Sequence, residues 1–493
     1  MARLLVALIL ALLIASPVRA EWRRAESANF ILFSTESEAR LRERVQLLED
    51  FDRLLRTITS VNEPPTPNRL HVYIVDGPTA LRTTRPIERG FAGYYIATPD
   101  GIAAFLDGRA QAGGNELLFH EYAHHFMRQY APNAYPAWYS EGFAEYFATV
   151  RLRPRQIDFG DFSQGRIYSI TQGEWLPAER VLFGQPNGLR REQMAAYYAQ
   201  SWLITHYFYS TPERQTTLRR FLAAARQGEP QAALLTATGF TPDAFQDELR
   251  RYIRGGQIRF RRMTREPPAP APVTVTTLPR SANELMLYEA SLRIGITDEQ
   301  QAGHLQGIRA AAARYPDDPF AMRVLAHAEL RHGDGAVADR LLDRLIGGAP
   351  NDVELLYLKG LRHLLAAEHG TEWERDARIA RDWFGRAHRA DANHWQTLFR
   401  YSLSMRGQRS YVSENTSNIL LLANQLAPQV AAITMNAAQL LLERRDFAQA
   451  EALLRPLAAD PHNPELARAA TEMRNRAVAG MAPAAQARPS PGN

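Results

Sequence analysis

The order of apolar and polar positions along the chain predicts an α+β opening. Asn29-Phe30-Ile31-Leu32-Phe33-Ser34 predicts a strand, Glu36 to Thr57 carries apolar residues at helical spacing, and Leu70 to Val75 predicts a second strand closed by Asp76-Gly77-Pro78. A strand pair follows, Gly93 to Ala97 and Ile102 to Leu106, because Thr98-Pro99-Asp100-Gly101 places turn residues between two β-prone runs. From Glu116 to about Tyr252 the period is mainly helical.

Residues 266–280 hold five prolines and no helical period, which predicts a semi-rigid extended linker and a domain boundary. Residues 281–479 are Ala/Leu-rich and helical, and 480–493 form a Pro/Ala tail expected to be disordered. Within the helical part, Tyr315-Pro316-Asp317-Asp318 recurs as Ala349-Pro350-Asn351-Asp352, an offset of about 34 residues, the tetratricopeptide period. Ala438, Leu441, Phe447, Ala450, Leu454 and Pro461 fall near the small, aromatic and proline positions of such repeats. This part resembles a tetratricopeptide array, with irregular middle copies around Glu368 to Glu374 and Arg406 to Ser417. Ala-rich helical hairpins of another kind fit the same pattern.

A length of 493 residues exceeds one ordinary core and agrees with a catalytic unit at 21–265 and a second unit beyond the linker. Residues 1–20 have the layout of a secretory signal: Arg3, an apolar stretch from Leu4 to Ala15, then Ser16 to Ala20 with small residues before the expected cut. The protein is therefore expected to be exported, periplasmic or secreted, with a membrane tether only if that segment stays uncleaved. There is no cysteine, which removes disulfides, thiolate ligands and a cysteine nucleophile together. The +5 formal charge is spread along the chain, and clusters such as Arg250-Arg251 and Arg259 to Arg262 read as solvated faces, so no nucleic-acid partner is expected.

The chemistry lies in Asn115-Glu116-Leu117-Leu118-Phe119-His120-Glu121-Tyr122-Ala123-His124-His125-Phe126. On a helix, His120 and His124 share a face one turn apart, so both imidazoles can reach one metal ion, with Glu121 beside them. Two nitrogen ligands suit zinc, and a catalytic site needs one more protein ligand and an open position for water. The following helical segment, Pro136 to Phe147, offers Glu141, with 16 residues between it and His124. Glu145, one turn on, is placed to hold the outer nitrogen of a ligating histidine. His125 points off the metal face and reads as structural.

These segments resemble the gluzincin zinc metallopeptidases, closest to the peptidase MA-like branch related to the aminopeptidase N family, in which His-Glu-x-x-His precedes a Trp-x-x-Glu-Gly-x-Ala helix; Trp138 to Ala144 matches it. The resemblance covers about residues 25 to 255. It implies a thermolysin-type α+β catalytic domain followed by an all-α tetratricopeptide-like solenoid, one zinc ion per chain, and Glu141 as the third ligand. The zinc-bound water would have a pKa near 7, with Glu121 taking its proton and the metal polarising the carbonyl under attack. By the same resemblance Tyr198, in Tyr198-Ala199-Gln200-Ser201, is the oxyanion donor, with Tyr197 second. One departure is clear. The family's aminopeptidases carry a Gly-x-Met-Glu-Asn strand that captures the substrate amine, whereas Gly90 to Tyr95 offers no carboxylate.

The expected activity is peptide-bond hydrolysis on a polypeptide substrate, the helical repeats binding a protein or peptide partner. An edge strand within Tyr94 to Leu106 suits β-addition of an extended substrate. The alternatives are a zinc hydrolase of a non-protein amide or ester, and an exported tetratricopeptide scaffold whose metallopeptidase-like domain is inactive.

Overall fold

The computed structural model describes residues 21–87, 92–109, 114–226, 230–256, 258–408 and 410–481. The expected signal segment, most of the expected tail, and Gly90 and Phe91 lie outside the described residues.

In chain order the strands are β1 (Arg23–Glu26), β2 (Phe30–Ser34), β3 (Leu70–Val75), β4 (Gly93–Ala97), β5 (Ile102–Asp107), β6 (Arg151–Arg153), β7 (Gln156–Phe159), β8 (Arg261–Thr264) and β9 (Thr274–Thr277). Six of them form one sheet in the order β4-β5-β3-β2-β1-β9, and β6, β7 and β8 form a second, smaller one. The β2–β3 and β3–β5 pairs are parallel, and the remaining pairs of the large sheet are antiparallel. The expected hairpin is present, with Tyr95 opposite Ala104, and β4 is an edge strand.

The apolar run in β2 is continuous because both faces of the sheet are covered. Phe30 and Leu32 face a core that includes Leu41, Val45, Leu48 and Phe51 of helix α1 (Glu38–Thr59), whose N-terminus Ser37 caps. Ile31 and Phe33 face the other way, onto Met286, Ala290 and Ile294. On that second face Phe33, Tyr73, Phe105 and Tyr94 stack in turn, with ring centroids 4.7–4.9 Å apart.

The next helices are α2 (Gly77–Thr84), α3 (Gly114–Tyr130), α4 (Ala137–Ala148), α5 (Gln164–Thr171), α6 (Ala178–Phe183), α7 (Arg191–Tyr209), α8 (Pro212–Ala225), α9 (Pro230–Thr238) and α10 (Pro242–Arg254). Helix α4 is buried nearly all round, with Trp138 at 0% exposure stacked on Phe221 of α8, which explains its lack of an amphipathic pattern.

The segment expected as a semi-rigid extended linker is extended and is strapped onto the N-terminal half. Arg42 Nη1 donates to Val273 O (2.6 Å), Gln46 exchanges two hydrogen bonds with Ala271, and β9 pairs with β1 as the outermost strand. Proline withholds backbone donors, but Thr274–Thr277 contains none, so this stretch can join a ladder.

Among the described residues the chain then continues as helices only: α11 (Ala282–Ile294), α12 (Asp298–Ala312), α13 (Pro319–His332), α14 (Gly335–Gly348), α15 (Val353–His369), α16 (Trp373–Ala390), α17 (Trp395–Ser404), α18 (Glu414–Leu426), α19 (Ala431–Glu443), α20 (Phe447–Ala458) and α21 (Pro464–Met481). The 34-residue offset marks helix starts. Asp318 caps α13 by accepting from Ala321 N (3.0 Å), and Asp352 caps α15 by accepting from Leu355 N (3.1 Å).

The two halves dock through charge as well as apolar surface. Asp100, in the β4–β5 turn, accepts from Arg331 (2.5 Å) and Arg400 (2.7 Å), all three side chains being at most 16% exposed. Burial alone would raise the Asp100 pKa, but the two guanidiniums outweigh it and hold it below its ordinary 3.8. Its contribution to stability is therefore present above that value and lost as pH falls through the lower folded pKa. Asp100→Asn, which leaves two arginines without their counter-charge, is expected to cost roughly 3 kcal/mol at neutral pH. Denaturation at several pH values checks this: the gap between parent and variant should narrow in acid.

Candidate metal centre

Helix α3 presents His120 and His124 one turn apart, and α4 packs across it with Glu141 and Glu145 one turn apart on the facing side. The two histidine Nε2 atoms lie 3.1 Å apart, and Glu141 Oε2 is 3.6 Å from the first and 3.5 Å from the second. Four ligands around zinc with bonds near 2.0–2.1 Å sit about 3.3 Å from one another. The three observed separations bracket that figure.

Glu141 supplies the independent test of fit. Its side chain is 0% exposed and neither oxygen accepts a well-aligned hydrogen bond from the protein. A buried carboxylate is costly unless positive or metal-bound partners meet it, and the groups around Glu141 are imidazole nitrogens, His120 and His124 at Oε2 and His462 at 2.9 Å from Oε1. Burial pushes Glu141 upward, but His124 and His462 overcome this and hold it well below the usual carboxylate range. The donor set of two imidazoles and one carboxylate fits a catalytic zinc, with room for a non-protein ligand.

Glu145 stands behind His120. Its Oε1 is 3.4 Å from His120 Nδ1, the nitrogen facing away from Glu141, and both of its oxygens accept from Arg166 (2.6 and 2.8 Å). Burial works against this charge, yet the Arg166 and His120 contacts lower the Glu145 pKa to about 2. The His120 imidazole is opposed by burial as well, but the surrounding carboxylates, Glu145 first, raise it to about 9. His124 moves the other way, because burial there outweighs Glu141.

Glu121 is half-buried and makes no side-chain hydrogen bond or ion pair among the described residues, so its carboxylate is uncommitted. Tyr198 on α7 has its ring 6.4 Å from that of His120, with the Arg166 guanidinium 5.1 Å from the ring centre. Tyr197 is turned into the core, fully buried and with its hydroxyl unpartnered. Of the two tyrosines, Tyr198 is thus the one at the site. His125 lies on the other side of α3, where Tyr95 Oη meets its Nδ1 at 3.0 Å, and burial lowers its pKa to about 3.

Two residues at the centre escaped the sequence reading. Arg166 follows Ser163, which caps α5 and signals a helix start, but nothing in the local pattern says that its side chain reaches Glu145. His462 comes from the loop between α20 and α21, and its Nε2 lies 2.9 Å from Glu141 Oε1. A cavity of about 510 Å³ lies elsewhere, between the second face of the sheet and the C-terminal helices, lined by Arg24, His71, Arg293 and Arg323 among others and by no candidate catalytic residue.

No protein-family model matches the chain, and no curated protein matches it. Among solved structures it is similar to a thermophilic TPR protein from Thermus thermophilus, at 17% identity and a TM-score of 0.33, over 39% of this chain and 98% of that one. The described residues are mostly helical with two sheets, and this solved-structure neighbour is a distant one.

Proposed function

We propose that this protein is an exported zinc-dependent hydrolase of the gluzincin metallopeptidase type, cleaving peptide bonds in a polypeptide substrate. The observation that carries the reading is the fully buried carboxylate of Glu141, without a well-aligned hydrogen bond, facing the paired Nε2 atoms of His120 and His124. Zinc bound by these three residues would supply an acidified water and polarise the scissile carbonyl.

The protein's own groups account for the rest. Glu121, uncommitted and adjacent to His120, takes the proton from the attacking water and returns it to the leaving amine. Tyr198 donates to the oxygen on which charge develops, and the neighbouring Arg166 adds positive potential there. Glu145, locked by Arg166, fixes the tautomer and direction of His120. The outer edge of β4, which pairs with no strand among the described residues and lies on the hairpin beside α3, suits an extended chain added as a further strand. The C-terminal helices suit a protein or peptide partner, in keeping with a tetratricopeptide-like array.

The deciding measurement is metal content and casein or peptide-library cleavage by purified residues 21–493. One zinc per chain, cleavage abolished by a chelator and cleavage restored by added zinc are expected. Zinc without cleavage points to a non-protein amide or ester, or to a scaffold role for the helical half. Absence of stoichiometric metal removes the site.

A further inference from the structure

We infer that His462, from the last helical hairpin, is a positioning residue of the metal centre, so that the centre is built jointly by the N-terminal α+β half and the C-terminal helices. This inference rests on the metal-binding reading of His120, His124 and Glu141. The two ligand histidines face Glu141 Oε2. His462 Nε2 approaches the other oxygen, Oε1, at 2.9 Å, and its ring lies edge-on to His124 with centroids 5.2 Å apart. A contact on Oε1 fixes the rotation of the carboxylate and so aims Oε2 at the point between the two histidines. In many zinc sites a carboxylate behind a histidine performs this service; here an imidazole stands behind a carboxylate.

The loop that delivers His462 is fastened to the ligand helix itself. Arg128 lies one turn after His124 on α3, and its Nη2 donates to Asp460 Oδ2 at 2.6 Å. The other Asp460 oxygen accepts the backbone N–H of His462 (2.9 Å), so one buried carboxylate ties α3 to the residue in question. Asn463 caps the following helix by accepting from Leu466 N (3.0 Å), which fixes the far side of the loop. A second set of bonds joins α3 to another part of the C-terminal helices, α18 and the loop after it, since Gln429 donates to His125 O (3.3 Å) and Gln129 Oε1 (3.1 Å), and Gln129 donates to Gln425 O (3.2 Å). Zinc retention therefore depends on docking of the C-terminal helices, and by linkage zinc strengthens that docking.

The test is zinc competition against a chromophoric chelator on the full chain. His462→Ala is expected to weaken zinc binding about 10- to 100-fold, and His462→Gln, whose amide nitrogen can contact Oε1 in place of the ring, to recover most of it. Arg128→Ala, which frees the loop without touching the centre, should weaken binding as well, with thermal melts confirming that each variant is folded. Zinc should slow amide exchange around residues 459–463 in the parent and not in His462→Ala. Equal affinity in parent and His462→Ala, or equal loss in the Ala and Gln variants, overturns the inference. Zinc binding by neither the parent nor His120→Ala would instead remove the metal reading beneath it.

Discussion

Glu121→Gln is expected to keep its zinc and its fold while losing about 10²- to 10⁴-fold in kcat, the usual contribution of a positioned general base. Glutamine has nearly the same shape as glutamate but cannot take a proton from water. The substitution is clean because Glu121 makes no ion pair or side-chain hydrogen bond among the described residues, so no partner is stranded by neutralising it. It also lies outside the converging set of His120, His124 and Glu141, so zinc affinity should change little. A fall in kcat with KM nearly unchanged marks an interaction made in the transition state. Parallel zinc analysis, thermal melts and steady-state kinetics provide the check. Activity within about threefold of the parent would remove Glu121 from the mechanism, and loss of zinc would place it among the ligands.

The contrast with the residues around Glu121 shows what the sequence could carry. His120 and His124 were legible because a helix converts a spacing of four into a shared face, and Glu141 because a second apolar segment followed at a distance a short turn can span. The β4–β5 hairpin was legible from its turn residues. Arg166 and His462 were not, because each reaches the centre through tertiary packing that leaves no period in the chain. The same holds for β9. A proline-rich segment reads locally as a spacer, and only the placement of β1 as an unpaired edge gives Thr274–Thr277 a partner. The second face of the sheet was hidden for a related reason: strands buried on both sides show no alternation, so β2 did not disclose that Met286 and Ala290 of the C-terminal half would cover it.

Gly142 binds these threads together, and Gly142→Ala is expected to destabilise the protein by roughly 3 kcal/mol, at the upper end of what overpacking usually costs. A methyl group there would lie 2.1 Å from Thr205 Oγ1, 2.3 Å from the Ser201 carbonyl oxygen and 2.9 Å from its carbon, all on α7. The hydroxyl can rotate away, but the carbonyl belongs to the helix backbone, so α4 and α7 must separate. Glu141 is the adjacent residue on α4 and Tyr198 lies one turn before Ser201 on α7, so the separation should also loosen zinc and slow turnover. Gly303→Ala is the internal control, since that glycine is in α12 with nothing within 4 Å, and alanine there should stabilise by about 0.5–1 kcal/mol. A double-mutant cycle with Thr205→Ala separates the two clashes. Removing the hydroxyl should restore only part of the lost melting temperature, because the Ser201 carbonyl remains; full restoration would show that the helices were never forced apart, and that the glycine serves the backbone of α4 rather than its approach to α7.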